Sequence, residues 1–298
     1  MSLNEIKNLP GVELFENISL EKYTTIRLSC RGNIALVHSV ESLTKIVSIL
    51  LDSHMTFHMI GWGANQILHN TENVLFIKLN FIFDRNYLSS LKSEYRIPAS
   101  VSLSVLSNHA MKFGLRGWEV FTGIPGSLGG AIYMNAGTSL GEIGDLVKNV
   151  KVLKKSGEIV QIEIKNKPLC FSYRKNLFLK KEDIILEATL IHSGVDLSVT
   201  KEIKNYLEKR KRTQPLKTKN CGSVFKNFSQ NHIAGQFIDI LGLKELGVNS
   251  LAVSDKHANF IENTGGASSS DFIELTNLLK YELELFSGIE FELEAKVY

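Results

Sequence analysis

The stretch GIPGSLGGAIYMNAG, residues 123–137, limits the fold more than any other part of the sequence. It has five glycines in fifteen residues, and Ser127, Ala131 and Ala136 fill most of the gaps between them. Because glycine costs backbone entropy, such a cluster indicates tight turning or close approach of the backbone to a ligand. Apolar residues on both sides indicate a half-buried loop. Since backbone N–H groups bind anions, the stretch predicts a pyrophosphate site, with a structural crossing between strands as the alternative.

The composition is that of an ordinary globular protein, with 298 residues, 44 % hydrophobic and 22 % charged. This length predicts one large domain or two to three small ones. A net charge of +3 is too small to predict nucleic-acid binding, and the basic run at 209–212 is local. The sequence has no apolar run as long as a membrane span and no signal-peptide core, so we expect neither. Three scattered cysteines predict reduced thiols, no metal and a cytoplasmic protein, and nothing implies an oligomer.

The first two hundred residues predict strands mixed with helices. Periodicity predicts strands at 33–40, 56–60, 74–79, 95–99 and 183–192, helices at 42–54 and 102–113, and a hairpin of 149–153 with 158–164. The segment GWGAN, residues 61–65, follows a strand, which is where α/β folds tend to bind ligands. GWGAN lacks the third glycine of the dinucleotide fingerprint, and a hairpin turn is an equal alternative.

The last hundred residues predict a separate small α+β unit. We expect helices at 201–213, 233–241 and 271–287 and short strands at 223–227, 251–253 and 258–262. The segment 289–298 alternates, and predicts a strand with apolar residues at odd positions facing the core. Its even positions, Glu290, Glu292, Glu294 and Lys296, then share the opposite face.

Nine stretches, in order, resemble the UDP-N-acetylenolpyruvoylglucosamine reductase family in its shorter subtype. They are YTTIR (23–27), GWGAN (61–65), GLRGWEVFTGIPGSLGGAIYMNAG (114–137), FSYR (171–174), RKRTQP (210–215), CGSVFKN (221–227), AGQFIDILGLK (234–244), SDKHANFIEN (254–263) and IEFELEAKVY (289–298). Each motif alone is weak evidence, but nine in the family's order span nearly the whole chain.

The resemblance implies an α+β fold in two parts. Residues 1–195 would form a two-part FAD-binding module of the vanillyl-alcohol-oxidase (PCMH) type, with subdomains at about 18–80 and 81–195. Residues 196–298 would form an α+β substrate-binding domain. The pyrophosphate of FAD would be held by two glycine loops, with the cofactor-binding residues Gly61, Trp62, Gly63, Ala64, Asn65, Gln66, Thr122, Gly123, Ile124, Pro125, Gly126, Ser127, Gly130 and Ala131.

The resemblance also implies an activity and its residues. The family uses NADPH and FAD to reduce UDP-N-acetylglucosamine enolpyruvate to UDP-N-acetylmuramate for peptidoglycan. By motif match, Arg174 stabilises the substrate carboxylate, Ser223 donates a proton and Glu294 completes the site. Glu292 is the fallback, because it shares the charged face of the predicted strand. Substrate-binding candidates are Tyr173, Lys211, Arg212, Asn227 and His257.

Two other functions fit the same motifs. One is a non-catalytic flavin or nucleotide-sugar binder, which the intact catalytic candidates disfavour. The other is a flavoprotein oxidase of the same fold, many of which attach FAD through His or Cys; neither glycine loop contains either residue. The sequence also departs from the family at Ala64, where a serine is usual, and at residues 98–100, where a glycine-containing segment is usual.

Overall fold

The computed structural model describes residues 2–298. Its helices are α1 (Ser2–Lys7), α2 (Val40–Asp52), α3 (Leu103–Phe113), α4 (Leu128–Tyr133), α5 (Lys167–Cys170), α6 (Ser198–Thr213), α7 (Ala234–Ile240) and α8 (Ser269–Ser287). Its strands are β1 (Val12–Ser19), β2 (Arg31–Val37), β3 (Thr56–Met59), β4 (Gln66–Ile67), β5 (Val74–Leu79), β6 (Glu94–Pro98), β7 (Gly137–Thr138), β8 (Gly141–Glu142), β9 (Val147–Leu153), β10 (Ile159–Glu163), β11 (Phe171–Ser172), β12 (Lys175–Asn176), β13 (Ile184–Ile191), β14 (Lys219–Asn220), β15 (Gly247–Val248), β16 (Leu251–Val253), β17 (Ile261–Asn263) and β18 (Lys296–Val297).

The chain divides into two compact units. The first contains the start of the chain to Phe15, Ile34–Gly61 and Leu75–Glu208, and the second contains Glu16–Asn33, Trp62–Val74 and Lys209–Tyr298.

These units differ from the predicted division after residue 195. Val199 and Ile203 of α6 are buried in the core of the first unit, so the beginning of this helix belongs there. Ile26 and Ile67 pack in the core of the second unit, so two early segments belong to that unit. Hydrophobic periodicity shows which face of an element is buried, but not which core receives it. The division into functional domains at 195 stays a prediction.

The first unit contains two four-stranded sheets. One has the order β1-β2-β5-β3, and its core includes the buried face of α2, whose first turn is capped by the Ser39 hydroxyl accepting from the Ser42 amide. The other is antiparallel, in the order β10-β9-β13-β6, and shares its core with α3 and α4. Helix α3 ends at Gly114, as predicted; a Cβ there would lie 2.7 Å from the Asp196 carbonyl oxygen, so the close approach requires glycine.

An aromatic cluster lies in the second core of this unit. The rings of Tyr95, His109 and Trp118 pack edge-on or tilted, with centroids 4.9 to 5.7 Å apart. His109 is 4 % exposed, and its Nε2 has no hydrogen-bond partner in the described chain. Burial, and next the charge of Lys112, lowers the pKa of His109 to about 4. The ring is therefore neutral at physiological pH.

The second unit is an antiparallel sheet covered by helices. The sheet has the order β14-β17-β16-β15, and α8 packs on it through Phe272, Leu275, Leu279 and Leu283. Ser268 and Asp271 form a capping box at the start of α8, and Gly288 ends it in a left-handed conformation. Within the described residues, the protein has no helix with the length and apolar character that a membrane crossing needs.

Three strand predictions in this unit are corrected. The predicted strand at 289–298 is regular only at β18, which pairs in parallel with β4, and Phe225 and Leu293 form an isolated bridge. The predicted strand at 223–227 is otherwise irregular, and that at 258–262 is β17, displaced toward the C-terminus. Alternating apolar and polar residues form a regular strand only where a neighbouring strand pairs with them along their length. Here the paired neighbour, β4, has only two residues.

Candidate functional site

Three glycines of the 123–137 stretch, at 126, 129 and 130, differ in whether the fold itself requires them. Gly129 is needed by the fold, because a Cβ there would lie 2.7 Å from the Ala99 Cβ. Gly126 has nothing within 4 Å of an added Cβ, and Gly130 has only the Ser127 hydroxyl, at 3.5 Å. Neither has a positive φ. Packing within the described protein therefore does not explain glycine at 126 and 130, whereas a ligand lying against the backbone would.

Ser127 lies between these two glycines in the chain, and its Oγ would lie 3.5 Å from a Cβ on Gly130. It is 7 % exposed, and its hydroxyl has no hydrogen-bond partner among the residues described. Gly61, at the beginning of GWGAN, is close by, because a Cβ on Gly61 would lie 3.0 Å from the Ser127 Oγ. The first unit thus brings together four of the predicted cofactor residues: Gly61, Gly126, Ser127 and Gly130. We call these four residues the Gly61–Ser127 floor. A serine hydroxyl among glycine backbone groups fits an anionic ligand such as the diphosphate of FAD.

Other predicted cofactor residues of this stretch have different surroundings. The Thr122 hydroxyl is buried and bonded to Ser107 at 2.9 Å, so it does not face the open space. Ala131 is buried in the core of the unit. Gly123 and Pro125 are exposed, and Ile124 is partly buried.

The rest of the first glycine loop belongs to the second unit. Gly63 is required by the backbone, since a Cβ there would lie 2.1 Å from the Tyr23 carbonyl oxygen. The Thr25 hydroxyl donates to the Asn220 carbonyl at 2.7 Å and lies 3.3 Å from the Ala64 carbonyl, contacts that need no side chain at 64. Trp62 is 47 % exposed, and Gln66 begins β4. The serine usual at position 64 is therefore not needed for the loop to keep this form.

Asn65 connects this loop to the predicted catalytic serine. Its amide nitrogen donates to the carbonyls of Cys221 at 2.8 Å and Ser223 at 3.0 Å. Those two bonds fix the orientation of the amide, because only the nitrogen can donate. The Asn65 Oδ1 is buried and has no partner in the described chain. A buried acceptor without a donor is costly, so this oxygen fits a donor group of a bound cofactor such as FAD.

Asn259 holds the segment that contains Ser223. Its side-chain Nδ2 donates to the Phe225 carbonyl at 2.8 Å, and its Oδ1 accepts from the Phe225 backbone amide at 2.9 Å. Its backbone carbonyl accepts from the Val224 backbone amide at 2.9 Å. Ser223 itself is half-buried, and its hydroxyl has no hydrogen bond to the described residues. The backbone of this segment is thus fixed while the serine hydroxyl keeps its capacity to donate.

Glu294 lies beside the same segment. The amides of Glu294 and Ala295 both donate to the Val224 carbonyl, at 2.7 and 3.3 Å. Two consecutive donors on one acceptor break the alternation, and Glu294 and Ala295 are both buried, at 9 % and 3 % exposure. The prediction that Glu294 shares an exposed face with Glu290 and Glu292 is therefore wrong.

The two candidate carboxylates consequently differ. Glu292 is exposed and forms an ion pair with Lys226 at 2.6 Å. Glu294 is buried close enough to Cys221 for its charge to act on the thiol: burial first, and Glu294 in addition, raises the Cys221 pKa to about 12. Cys221 is therefore a protonated thiol and a structural residue.

Arg174 belongs to the first unit, at the tip of the hairpin formed by β11 and β12. Its φ of +55° is left-handed, a strained conformation for a residue with a side chain. The guanidinium donates to the Gly137 carbonyl at 2.9 Å and stacks over the Tyr173 ring at 4.8 Å. Tyr173 is 45 % exposed, so these two predicted site residues are neighbours at an accessible turn.

Asn135, at the end of the glycine-rich stretch, supports this hairpin. It is fully buried with a φ of +46°. Its amide nitrogen donates to Glu142 at 2.7 Å and to the Ser172 carbonyl at 3.0 Å, and its oxygen accepts from the Gly144 amide at 3.0 Å. Sequence reasoning missed Asn135 and Asn259; an asparagine within a glycine-rich turn was the available signal, since Asn tolerates left-handed backbone.

The remaining substrate candidates lie in the second unit. Lys211 and Arg212 are exposed at the end of α6. The Asn227 Oδ1 accepts from the Ala234 amide at 3.3 Å, at the start of α7. His257 is partly buried, and its Nδ1 accepts from the Asn259 amide at 3.3 Å.

His257 has positive neighbours that the sequence did not indicate. Burial lowers its pKa, and the charges of Lys244 and Arg210 lower it further. The ring also packs on Phe260 with centroids 4.6 Å apart. The positive charge near His257 therefore includes Arg210 and Lys244, whereas sequence reasoning named only Lys211 and Arg212.

Comparison with known proteins agrees with this arrangement. A family model described as FAD binding domain matches residues 33–163, and a model described as UDP-N-acetylenolpyruvoylglucosamine reductase, C-terminal domain, matches residues 214–298. These two matches and the mixed helix and strand content confirm the predicted α+β fold of an FAD-binding module and a C-terminal domain.

Relatives cover nearly the whole chain. The UDP-N-acetylenolpyruvoylglucosamine reductase of Chlamydia pneumoniae is 31 % identical, covering 94 % of this chain and 90 % of its own. The enzyme of Chlamydia muridarum is 32 % identical, covering 95 % of this chain and 93 % of its own. A crystal structure of the reductase from Thermus caldophilus superposes with a TM-score of 0.79 at 28 % identity, covering 96 % of this chain and 98 % of that one. The chain therefore belongs to the UDP-N-acetylenolpyruvoylglucosamine reductase family.

Proposed function

We propose that this protein is an FAD-dependent reductase that uses NADPH to reduce UDP-N-acetylglucosamine enolpyruvate to UDP-N-acetylmuramate, a step of peptidoglycan precursor synthesis. Family membership over nearly the full chain supports the reaction. The FAD binding domain match at 33–163 and the bare glycines at 126 and 130 support the cofactor. Because the product is a cell-wall precursor, we also assign the protein a role in cell shape and cell division. We assign it to the cytoplasm, where its free cysteines would stay reduced.

The main support for catalysis is the placement of Ser223 and Glu294. Val224 directly follows Ser223, and its carbonyl accepts from the Glu294 amide at 2.7 Å, so the hydroxyl and the carboxylate belong to adjacent backbone segments. The serine hydroxyl makes no hydrogen bond within the described residues, and the carboxylate is buried. A donor beside a buried carboxylate is an arrangement suited to proton transfer.

The reaction adds a hydride and a proton across the enolpyruvyl double bond. FAD bound at the glycine loops would supply the hydride chemistry, with NADPH as the hydride source and the β-carbon of that group as the acceptor. We assign to the Ser223 hydroxyl the proton that reaches the α-carbon, which saturates the double bond. We assign to Arg174 the substrate carboxylate, whose negative charge grows as the hydride arrives, because a guanidinium fork matches its two oxygens. The substrate's remaining groups are assigned to Tyr173, Lys211, Arg212, Asn227 and His257.

We choose Glu294 over Glu292 as the carboxylate of the site. A buried carboxylate has a larger effect on a neighbouring hydroxyl than one in water, since the effective dielectric is lower. Glu292 is already paired with Lys226 and exposed.

The test is NADPH oxidation by the FAD-loaded protein with and without the enolpyruvyl sugar. We expect turnover only with the sugar, and none with UDP-N-acetylglucosamine, which lacks the double bond. Glu294→Gln should lower kcat by about 100-fold or more, in the range for lost acid–base assistance, while Glu292→Gln stays within about threefold of wild type. Absence of sugar-dependent oxidation in wild type would overturn the proposal, and equal loss in both variants would overturn the choice of Glu294.

A further inference from the structure

A lysine contacts the Gly61–Ser127 floor and is not among the predicted cofactor-binding residues. Lys78 is in β5, within the first unit, and is half-buried. Its ammonium donates to the Gly61 carbonyl, which is the hydrogen bond it makes in the described chain. None of the described carboxylates lies within ion-pair distance of it, so its positive charge is not balanced by an acidic side chain.

Such a placement disfavours the charged form of the lysine. Burial lowers the pKa of Lys78, because the ammonium loses water without gaining a counter-charge. A carbonyl oxygen satisfies one of three N–H donors and leaves the other two. An anion close to the ammonium would satisfy both requirements, by offering acceptors and by restoring the balance of charge.

Lys78 is connected to Ser127 and the open glycines through Gly61. Gly61, whose carbonyl accepts from Lys78, is next to the Ser127 hydroxyl, since an added Cβ would lie 3.0 Å from it. Ser127 is 7 % exposed and its hydroxyl is without a partner in the described residues. An added Cβ on Gly130 would lie 3.5 Å from the same hydroxyl, and an added Cβ on Gly126, next to Ser127 in the chain, would have no protein atom within 4 Å. A cation, a free hydroxyl and two bare glycines are a set of groups that suits a phosphate ligand.

We propose that Lys78 is a further cofactor-binding residue, whose ammonium pairs with the diphosphate of FAD at the Gly61–Ser127 floor. The identity of the cofactor rests on the proposed function. The diphosphate is the part of FAD that Lys78 contacts, because it is the part with negative charge; the flavin and adenine rings and the ribityl chain are uncharged. Sequence reasoning did not select Lys78, which looks like an ordinary lysine in an apolar strand.

The competing role is structural: Lys78 would merely hold the Gly61 carbonyl. Lys78→Gln separates the two, because glutamine keeps an N–H donor for the carbonyl and removes the charge. Lys78→Arg keeps the charge. Lys151→Gln is the matched control, since Lys151 is an exposed lysine in a strand of the same unit.

The measurement is FAD binding to the apoprotein, followed by flavin fluorescence, with the melting temperature of each apoprotein recorded beside it. We expect Lys78→Gln to raise the Kd for FAD about 10- to 100-fold, the range for a charge-assisted hydrogen bond, with Lys78→Arg and Lys151→Gln within about threefold of wild type. We also expect the Kd of Lys78→Gln to rise less steeply with KCl concentration, because a screened ion pair has been removed.

Each outcome decides the matter. An unchanged Kd in a folded Lys78→Gln overturns the proposal, as does a weaker Kd with the wild-type salt dependence, which would indicate the structural role. If Lys78→Gln does not fold, Lys78→Arg decides: near-wild-type affinity supports the proposal and a large loss overturns it. Failure of wild type to bind FAD would instead refute the proposed function.

Discussion

The segments that contain Arg174 and Ser223 are supported in different ways. Beneath the Arg174 hairpin, both ends of the Asn135 amide are bonded within the protein, and the guanidinium itself donates to the Gly137 carbonyl. Beside Ser223, the Asn65 Oδ1 is buried without a partner in the described chain. Ser223 is only half-buried, and its hydroxyl makes no hydrogen bond to the described residues.

The two segments therefore differ in whether their hydrogen bonds are complete before a ligand binds. A network that is complete without ligand can hold a strained turn, and Arg174 has such a turn. A segment with open polar atoms has a cost in the free protein, which a ligand can remove on binding. We therefore expect changes under Arg174 to lower stability with or without FAD, and changes beside Ser223 to depend on what is bound.

The largest effect on stability is expected for Asn135→Leu. This change removes three hydrogen bonds and leaves the buried Gly144 amide unpaired, while the exposed Ser172 carbonyl and the partly buried Glu142 carboxylate each lose a donor. It should lower the free energy of unfolding by about 3 kcal/mol in apoprotein and holoprotein alike. Urea denaturation measures it, with Asn205→Leu on the exposed face of α6 as the control. A loss seen only in the holoprotein would contradict the comparison.

His109 is a buried residue with an unpartnered polar atom that we do not assign to a ligand. Its Nε2 lacks a partner in the described residues, but it lies among aromatic rings and burial lowers its pKa to about 4. The unfolded chain takes up the proton near the ordinary pKa of 6.5, and the folded chain does not. Stability should therefore be complete above pH 6.5 and fall as pH drops toward 4, by about 2 kcal/mol between pH 7.5 and 5.

His109→Phe should remove that part of the pH dependence, because phenylalanine fills the place without a titrating nitrogen. Urea denaturation at pH 7.5 and pH 5 provides the measurement, and the difference between variant and wild type isolates this residue from the acidic groups. An unchanged difference would mean that His109 can bind a proton while folded.

A smaller effect is expected for Asn65→Ala. In the apoprotein the loss of its two donated hydrogen bonds is partly offset by removal of the unpartnered oxygen. In the holoprotein, a cofactor donor loses its acceptor as well, at a cost of about 1 kcal/mol. FAD should consequently raise the melting temperature less in this variant than in wild type. An equal rise would show that the Asn65 oxygen does not meet the cofactor.

Much of the fold follows from local patterns. The strand at 74–79 was predictable from its run of apolar residues, and the helix at 103–113 from apolar residues that recur at helical spacing. The end of that helix was predictable because Gly114 has a left-handed backbone conformation that favours glycine. The density of glycine in the 123–137 stretch predicted a ligand site, and the open surroundings of Gly126 and Gly130 support that prediction.

The site was less predictable, because its details depend on contacts between distant residues. Burial of Glu294 follows from two amides sharing the Val224 carbonyl, seventy residues earlier in the chain, and no pattern within 289–298 contains that information. Asn135 acts through Ser172, and Lys78 matters through Gly61 and its neighbour Ser127. Residues of this kind are read from tertiary contacts, while the roles of Arg174 and Ser223 came from family motifs.

The central claim is that Ser223 supplies a proton to a substrate reduced through FAD, and Ser223→Ala tests it most directly. Anaerobic stopped-flow spectroscopy separates the two half-reactions: NADPH bleaches the flavin band, and the enolpyruvyl sugar restores it. We predict that bleaching in Ser223→Ala stays within about threefold of wild type, while restoration slows by about 100-fold or more. Equal slowing of both steps, or restoration at the wild-type rate, would contradict the account.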